Sequence, residues 1–127
     1  MDNFYEIKIT AIADLIRASS QVYVCNKMIP KLAKSLMNFP KSINDEVFWR
    51  ASKIGDSPNA SLRLFCRDKL GHVEIEVYMV IDDGASYDKH NCCFYVGTEA
   101  GLINRFGKAL ISFDKSDVGT TVSLNDI

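Results

Sequence analysis

A long alternation of apolar and polar residues over positions 60–83 constrains the fold more than any other feature of this chain. The alternation is interrupted once, at Asp68–Gly71, where a glycine can supply the positive φ that tight turns often need. This pattern predicts a β-hairpin. The facing pairs it predicts are Arg67 with His72, Phe65 with Glu74 and Arg63 with Glu76. Because one side of the hairpin is apolar and the other charged, we expect an antiparallel sheet covered on one face only.

Two amphipathic helices are predicted outside the hairpin, at Lys27–Phe39 and Glu99–Phe113. Asn26 and Thr98 are the predicted N-caps, and Pro40 is a stop signal for the first helix. The apolar stripes are Met28, Ile29, Leu32, Leu36 and Phe39 in the first helix, and Leu102, Ile103, Phe106, Leu110 and Phe113 in the second.

The two helices align when the first is shifted by 74 positions, so that Met28 falls on Leu102. Each also follows a strand-like run, 21–25 in one case and 92–96 in the other, which indicates two strand–helix units around the central hairpin. Further strands are predicted at 5–11, 46–53 and 119–124, and loops at 55–59 and 82–86. The predicted fold is α+β: an antiparallel sheet of about five to seven strands with both helices packed on one face.

Length and charge narrow the class of protein. The 127 residues predict one domain, residues 1–127. Fifteen basic and sixteen acidic residues leave a formal charge of −1, which disfavours direct nucleic-acid binding. No apolar run approaches the roughly 18 residues of a membrane span, and the N-terminus lacks the basic start of a signal peptide. We therefore expect a cytoplasmic protein that does not contact membranes.

The reactive side chains form no familiar catalytic or metal-binding motif. The four cysteines include no C-x-x-C pair, and we expect them to be buried free thiols. Cys92 and Cys93 should point to opposite faces of a strand. His90 and Cys92 share one face, but no glycine-rich elbow or helix start activates the cysteine. The aspartates between positions 82 and 88 fit no EF-hand loop. The sequence thus predicts a binding protein without catalytic, cofactor or metal residues.

Charge is distributed unevenly along the chain. Positions 15–44 carry five basic residues and no acidic ones, and positions 70–88 carry five acidic residues and no Lys or Arg. Solvated faces also produce such runs, and Arg63 and Arg67 offset part of the acidic one. The functional interpretation is an acidic docking surface with tyrosine anchors that suits a basic partner. Its predicted residues are Glu74, Glu76, Tyr78, Asp82, Asp83, Tyr87 and Asp88.

The chain resembles a bacterial immunity protein of a contact-dependent growth-inhibition or related polymorphic toxin system. The resemblance rests on the small size, a pI near 6.1, the hairpin stretch 67–73 and the strand–helix end with Gly101–Phe106. It implies a protein that binds one cognate toxin domain, often a nuclease, and blocks its active site or substrate path. The near-zero net charge departs from the strongly acidic immunity proteins that mimic nucleic acid.

Two alternatives stay open from the sequence. A small ligand-binding or enzymatic α+β domain would hold its site between sheet and helices, and a polar cavity around His90, Cys92 and Tyr95 would favour it. An inhibitor of a host defence protein, carried by a phage or other mobile element, would have the same kind of docking surface.

Overall fold

The computed structural model describes residues 4–52, 58–82, 89–113 and 118–124. Within them the chain forms six strands and two helices in the order β1, β2, α1, β3, β4, β5, β6, α2. The strands are β1 (Phe4–Ile12), β2 (Arg17–Cys25), β3 (Glu46–Ser52), β4 (Pro58–Cys66), β5 (His72–Asp82) and β6 (Lys89–Glu99). The helices are α1 (Met28–Met37) and α2 (Ala100–Ile111).

All strand pairs are antiparallel, and each strand pairs with its neighbours in chain order. The strands fall into two groups: a two-stranded ribbon, β1–β2, and a four-stranded sheet, β3–β6. A single residue pair, Tyr23 with Ser52, joins them. The buried Ser20 hydroxyl also donates to the Val80 carbonyl at 3.2 Å, which ties the ribbon to β5. The prediction of an α+β fold with antiparallel strands is confirmed, but the strands do not form one uninterrupted sheet.

The central hairpin has the predicted register. Phe65 lies opposite Glu74 and Arg63 opposite Glu76. At the turn, the Arg67 N–H donates to the His72 carbonyl at 2.9 Å, and Gly71 has a φ of 92°. An L-residue with a side chain rarely adopts that φ, so glycine suits this position.

Alternate residues of the sheet are buried together with residues of both helices. From the sheet the buried cluster includes Trp49, Leu64, Val77 and Phe94, one from each strand β3 to β6. From the helices it includes Ile29, Leu32, Ala33 and Leu36 of α1 and Ile103 and Leu110 of α2. Burial of these apolar stripes is the main stabilising term available to the fold. Neither helix within the described residues is long and apolar enough to cross a membrane.

The two helices are in direct contact along one another. A Cβ added to Gly107 of α2 would lie 2.8 Å from the Ala33 carbonyl oxygen of α1, so glycine permits this close approach. One turn earlier, Asn104 donates through Nδ2 to the carbonyls of Leu36 at 2.9 Å and Phe39 at 2.7 Å. Because α1 ends here, the Leu36 carbonyl accepts the backbone N–H of Phe39 at 3.4 Å, and Asn104 adds a shorter bond. Asn104 thus caps the C-terminus of the other helix.

Several local predictions are wrong. The N-caps are Lys27 and Glu99, not the predicted Asn26 and Thr98, and neither helix has a side-chain cap bond. The side-chain oxygens of both predicted caps are buried without a hydrogen-bond partner among the described residues. Thr98 fails as a cap because β6 continues through it to Glu99.

Three further predictions need correction. Residues 119–124 contain a turn and irregular backbone, not a terminal strand. Pro58 and Asn59 begin β4, and the rest of the predicted 55–59 loop lies outside the described residues. The four cysteines are free but not fully buried: Cys93 is exposed, and Cys25, Cys66 and Cys92 are intermediate. Cys93 is exposed because it lies on the uncovered side of β6.

Candidate protein-interaction surface

The four-stranded sheet has one solvent-exposed side, which we call the open face. Antiparallel pairing aligns its side chains in rows across the strands, because directly paired residues point to the same side. The rows are Glu46, Phe65, Glu74 and Gly97; then Phe48, Arg63, Glu76 and Tyr95; then Arg50, Ser61, Tyr78 and Cys93. The second of these, the central row, takes one residue from each of β3, β4, β5 and β6.

Polar contacts fill the middle of the central row. Arg63 donates to both carboxylate oxygens of Glu76, at 3.3 and 3.1 Å. The Tyr95 hydroxyl donates to Glu76 Oε2 at 2.7 Å. Arg63 also reaches Glu46 Oε1 at 3.4 Å. These bonds hold the long side chains of Arg63 and Glu76 in one arrangement.

Aromatic rings lie beside this ionic group. The Arg63 guanidinium lies 4.5 Å from the centroid of the Phe65 ring, within cation–π range. Phe65 in turn meets Tyr95 edge to face, with ring centroids 6.5 Å apart. Phe48 and Tyr95, at the two ends of the central row, are 59% and 51% exposed. Three strand spacings separate them, about 14 Å. Two exposed aromatic side chains therefore flank a prebuilt ion pair.

The ionisable groups of the central row shift one another's pKa. The hydrogen bonds from Arg63 and then Tyr95 lower the pKa of the Glu76 carboxyl, since both favour its charged form. The hydrogen bond that the Tyr95 hydroxyl donates to Glu76 raises the pKa of that hydroxyl. Arg63 is stabilised as a cation by Glu76. At neutral pH the row therefore holds a charged Arg–Glu pair and a neutral tyrosine that donates to it.

The predicted acidic surface is offset by arginine where the structure describes it. Glu76 pairs with Arg63, and Glu74 lies 3.5 Å from Arg67 at the hairpin turn. Among the described residues the centre of the open face is thus a balanced ionic surface, not an acidic one.

The seven predicted docking residues are only partly described. Glu74, Glu76 and Tyr78 alternate along β5 and lie together on the open face. Asp82 is the last residue of β5, and its side chain is not described. The other three predicted residues, Asp83, Tyr87 and Asp88, lie outside the described residues.

Sequence reasoning missed the two exposed aromatic residues of this surface, Phe48 and Tyr95. Each lies in a strand-like run, where an aromatic side chain is ordinarily read as core material. The sequence indicates the face of each ring only through alternation: Phe48 precedes the buried Trp49, and Tyr95 follows the buried Phe94. This alternation assigns both rings to the open face once the predicted hairpin register is extended to β3 and β6.

A groove runs along the junction between the ribbon and the sheet. It has a volume of about 340 Å³ and is open to solvent. Its lining is mostly polar and comprises Glu6, Lys8, Ser19, Ser20, Gln21, Tyr23, Asn59, Val80 and Ile81. No catalytic constellation lies in this lining.

A polar cavity shared by His90, Cys92 and Tyr95, which would favour a ligand-binding or enzymatic domain, does not fit the geometry of β6. His90 and Cys92 are two residues apart and share a side of the strand, but Tyr95 points to the other side. Among the described residues there is also no group of three or more His, Cys, Asp or Glu side chains arranged to hold a metal ion.

The hairpin turn carries a separate polar cluster. Asp68 Oδ2 lies 2.6 Å from His72 Nδ1, and Asp68 Oδ1 accepts the Leu70 N–H at 2.7 Å. These bonds, that to His72 first, lower the pKa of the Asp68 carboxyl. The carbonyl of Gly71 accepts the Ala100 N–H at 2.8 Å, so the same turn contacts the start of α2. These bonds hold the turn in one arrangement.

Comparison with protein-family models, curated protein sequences and solved structures finds no match to this chain.

Proposed function

We propose that this protein is a stoichiometric inhibitor that binds a cognate toxin domain through the open face of β3–β6. The observation that carries the proposal is the central row, in which exposed Phe48 and Tyr95 flank the Arg63–Glu76 pair. Aromatic residues and arginine are enriched where protein interfaces concentrate their binding energy. The protein has a binding role in this proposal and no enzymatic one.

Preorganisation supports a protein partner for this surface. Arg63 and Glu76 satisfy each other, and Tyr95 completes the carboxylate's bonds, so a partner need not order these side chains itself. Side chains already fixed in the free protein reduce the entropy lost on binding. The exposed rings supply apolar area at both ends of the row. A surface of this composition suits a flat protein epitope better than a small molecule, which needs a concave site.

The arrangement of layers is part of the proposal. Both helices cover the other side of the four-stranded sheet, and two strand–helix units, β2–α1 and β6–α2, flank the β4–β5 hairpin. Their buried residues share one cluster with the inward residues of the sheet, which supports this packing. A sheet covered in this way keeps its second face free for a partner.

The partner we propose is a bacterial toxin domain, by the resemblance to immunity proteins of polymorphic toxin systems. The balanced charge at the centre of the open face favours aromatic and hydrogen-bonding contacts there. In the sequence, Asp82 ends β5 and is followed by Asp83 and Asp88, and we propose that this acidic run provides electrostatic steering for a basic toxin such as a nuclease. The cytosol is the compartment in which all four free cysteines remain reduced.

The first test is capture of the partner and measurement of its affinity. The tagged protein is used to recover a heterodimer from the native strain, and titration calorimetry with the purified toxin domain gives the stoichiometry and Kd. We expect one-to-one binding and loss of toxin activity in the complex. Failure to find a tight complex with any toxin domain contradicts the function.

The second test locates the interface with matched variants. Phe48→Ala and Tyr95→Ala should each raise Kd by about tenfold or more, as expected for exposed aromatic hot spots. Ile111→Ala is the control, because Ile111 is 57% exposed on α2, close to the 59% of Phe48. The Ile111→Ala variant should have a Kd within about twofold of that of the unsubstituted protein. Circular dichroism confirms folding of each variant. If all three bind as the unsubstituted protein does, the open face is not the interface even though the complex is real.

The aspartate end of β5 is tested by kinetics. Reversing charge at Asp82 and Asp83 should slow association more than it speeds dissociation, because charge at the rim of an interface acts mainly on encounter. Unchanged association and dissociation rates would remove this end of β5 from the interface.

A further inference from the structure

The two outer strands of the fold differ in how their free edges are protected. Each pairs with one neighbour among the described strands, β1 with β2 and β6 with β5. β1 exposes two charged residues, Glu6 and Lys8, in its central part. Such charges discourage pairing with another chain. β6 itself carries no Lys, Arg, Asp or Glu over its central part.

β6 is long, regular and uncharged between its two ends. It pairs with β5 over eleven residues without a register shift, from His72 with Glu99 to Asp82 with Lys89. Its Lys, Arg, Asp and Glu residues are confined to the first and last positions, Lys89 and Glu99. It contains no proline, and the residues on its open side, Asn91, Cys93, Tyr95 and Gly97, are all exposed. Unprotected edges of this kind readily pair with another strand.

The order of residues along β6 indicates that a second copy of β6 would be a suitable strand to pair with it. Phe94 is the middle residue of the strand. An antiparallel partner of the same sequence, related by a two-fold axis at Phe94, would place position 89 of each copy opposite position 99 of the other. Those positions are a lysine and a glutamate, so opposite charges would face each other at both ends. In between, uncharged positions face uncharged ones, Cys93 opposite Tyr95 and Asn91 opposite Gly97.

We propose that two copies of this protein associate through β6, antiparallel and in the register centred on Phe94. Isologous two-fold contacts of this kind are the commonest way in which a protein forms a dimer. The pairing supplies backbone hydrogen bonds to two strand edges that no other described strand pairs with. It joins two four-stranded sheets into one continuous eight-stranded sheet. The open faces then lie side by side, and a dimer would present two central rows.

Charge exchange at the strand ends tests both the contact and its register. In Lys89→Glu homodimers glutamate would face glutamate at both ends, and in Glu99→Lys homodimers lysine would face lysine. We expect each variant alone to self-associate about tenfold more weakly than the unsubstituted protein, measured by sedimentation velocity over a concentration series. Mixing the two variants should restore association, because every 89–99 pair in the mixed dimer is then attractive.

Three results would overturn the proposal. One is an unsubstituted protein that stays monomeric up to millimolar concentration. Another is a pair of single variants that dimerise as well as the original, which excludes this register. The last is a mixture that associates no better than its components, which would show that the charges act on folding or on a different contact. Circular dichroism of each variant separates misfolding from loss of association.

The dimer does not depend on the proposed toxin partner. Calorimetric titration of the toxin domain with the monomeric Lys89→Glu variant should still give one-to-one binding if the open face of a single copy suffices. The two proposals therefore fail independently, one by sedimentation and the other by partner binding.

Discussion

Replacing Gly107 by alanine should destabilise the protein, although alanine is the better helix former. In an exposed helix position the change gains about 1 kcal/mol. Here the added Cβ would lie 2.8 Å from the Ala33 carbonyl oxygen, 2.9 Å from Leu36 Cβ and 2.9 Å from the Met37 nitrogen. Two of these three atoms belong to the backbone of α1, so a side-chain rotation cannot relieve the clash.

The size of the effect follows from these opposing terms. Overpacking of a tight contact costs about 1–3 kcal/mol, and more where the backbone must move. Because backbone atoms of α1 block the methyl group, we expect a net loss of about 1–2 kcal/mol after the helix-propensity gain. For a domain of this length that corresponds to a fall in Tm of roughly 4–8 °C.

Gly101 provides a matched control within the same helix. It is exposed, and a Cβ added there meets no atom within 4 Å. Gly101→Ala should therefore raise the free energy of unfolding by a few tenths to about 1 kcal/mol. Urea denaturation of both variants, followed by circular dichroism, gives the midpoints and slopes. If Gly107→Ala unfolds at the same or a higher urea concentration than the original, the close contact between α1 and α2 is wrong.

Three further predictions concern polar groups. Asn104→Ala should lower the free energy of unfolding by about 1–3 kcal/mol in urea titrations, because it removes the side-chain donor from the part-buried Phe39 and Leu36 carbonyls, of which Leu36 keeps a longer backbone bond from Phe39 at 3.4 Å; unchanged stability would contradict the cap. The folded-state pKa of Asp68 lies below its ordinary value of 3.8. The charged Asp68 carboxylate therefore stabilises the folded state fully above about pH 4, and this stabilisation is lost as the pH falls through the lower folded-state pKa. Asp68→Asn should reduce the loss of unfolding free energy at acid pH, and an equal pH dependence in both proteins would contradict the His72 contact. Glu76→Gln should bring the pKa of the Tyr95 hydroxyl down towards its usual range of about 10, read from tyrosinate absorbance against Tyr95→Phe; an unchanged titration would mean that the carboxylate does not hold this hydroxyl.

The register of the hairpin was predictable because its information is local. Alternation fixes which side each residue occupies, and the turn Asp68–Gly71 fixes where the chain reverses. Together they determine the Arg63–Glu76 pair, which forms the middle of the candidate surface. The helices were predictable for the same reason, since their apolar stripes repeat over three turns.

The helix ends were less predictable because capping depends on where the preceding strand stops. Thr98 has a suitable side chain for an N-cap. It pairs with Val73 in the sheet instead, so its backbone is extended and the helix begins beyond it. Similarly, Val122 and Leu124 alternate like a strand, but they pack against the core without pairing in a sheet. An alternating pattern indicates that a segment is half-buried. It does not indicate that a neighbouring strand has an edge available to pair with that segment.

The sequence by itself determined the α+β class, the antiparallel hairpin and the two amphipathic helices, since each follows from periodicity within one segment. Only the tertiary structure decided that Phe48 and Tyr95 lie at opposite ends of one row, because they are 47 positions apart in the chain and are brought into the same row by three successive strand pairings. It also decided the charge of that surface. Glu74 and Glu76 belong to an acidic run along the chain, but across the strands they are neighbours of arginines, and electrostatic energy depends on distance in space.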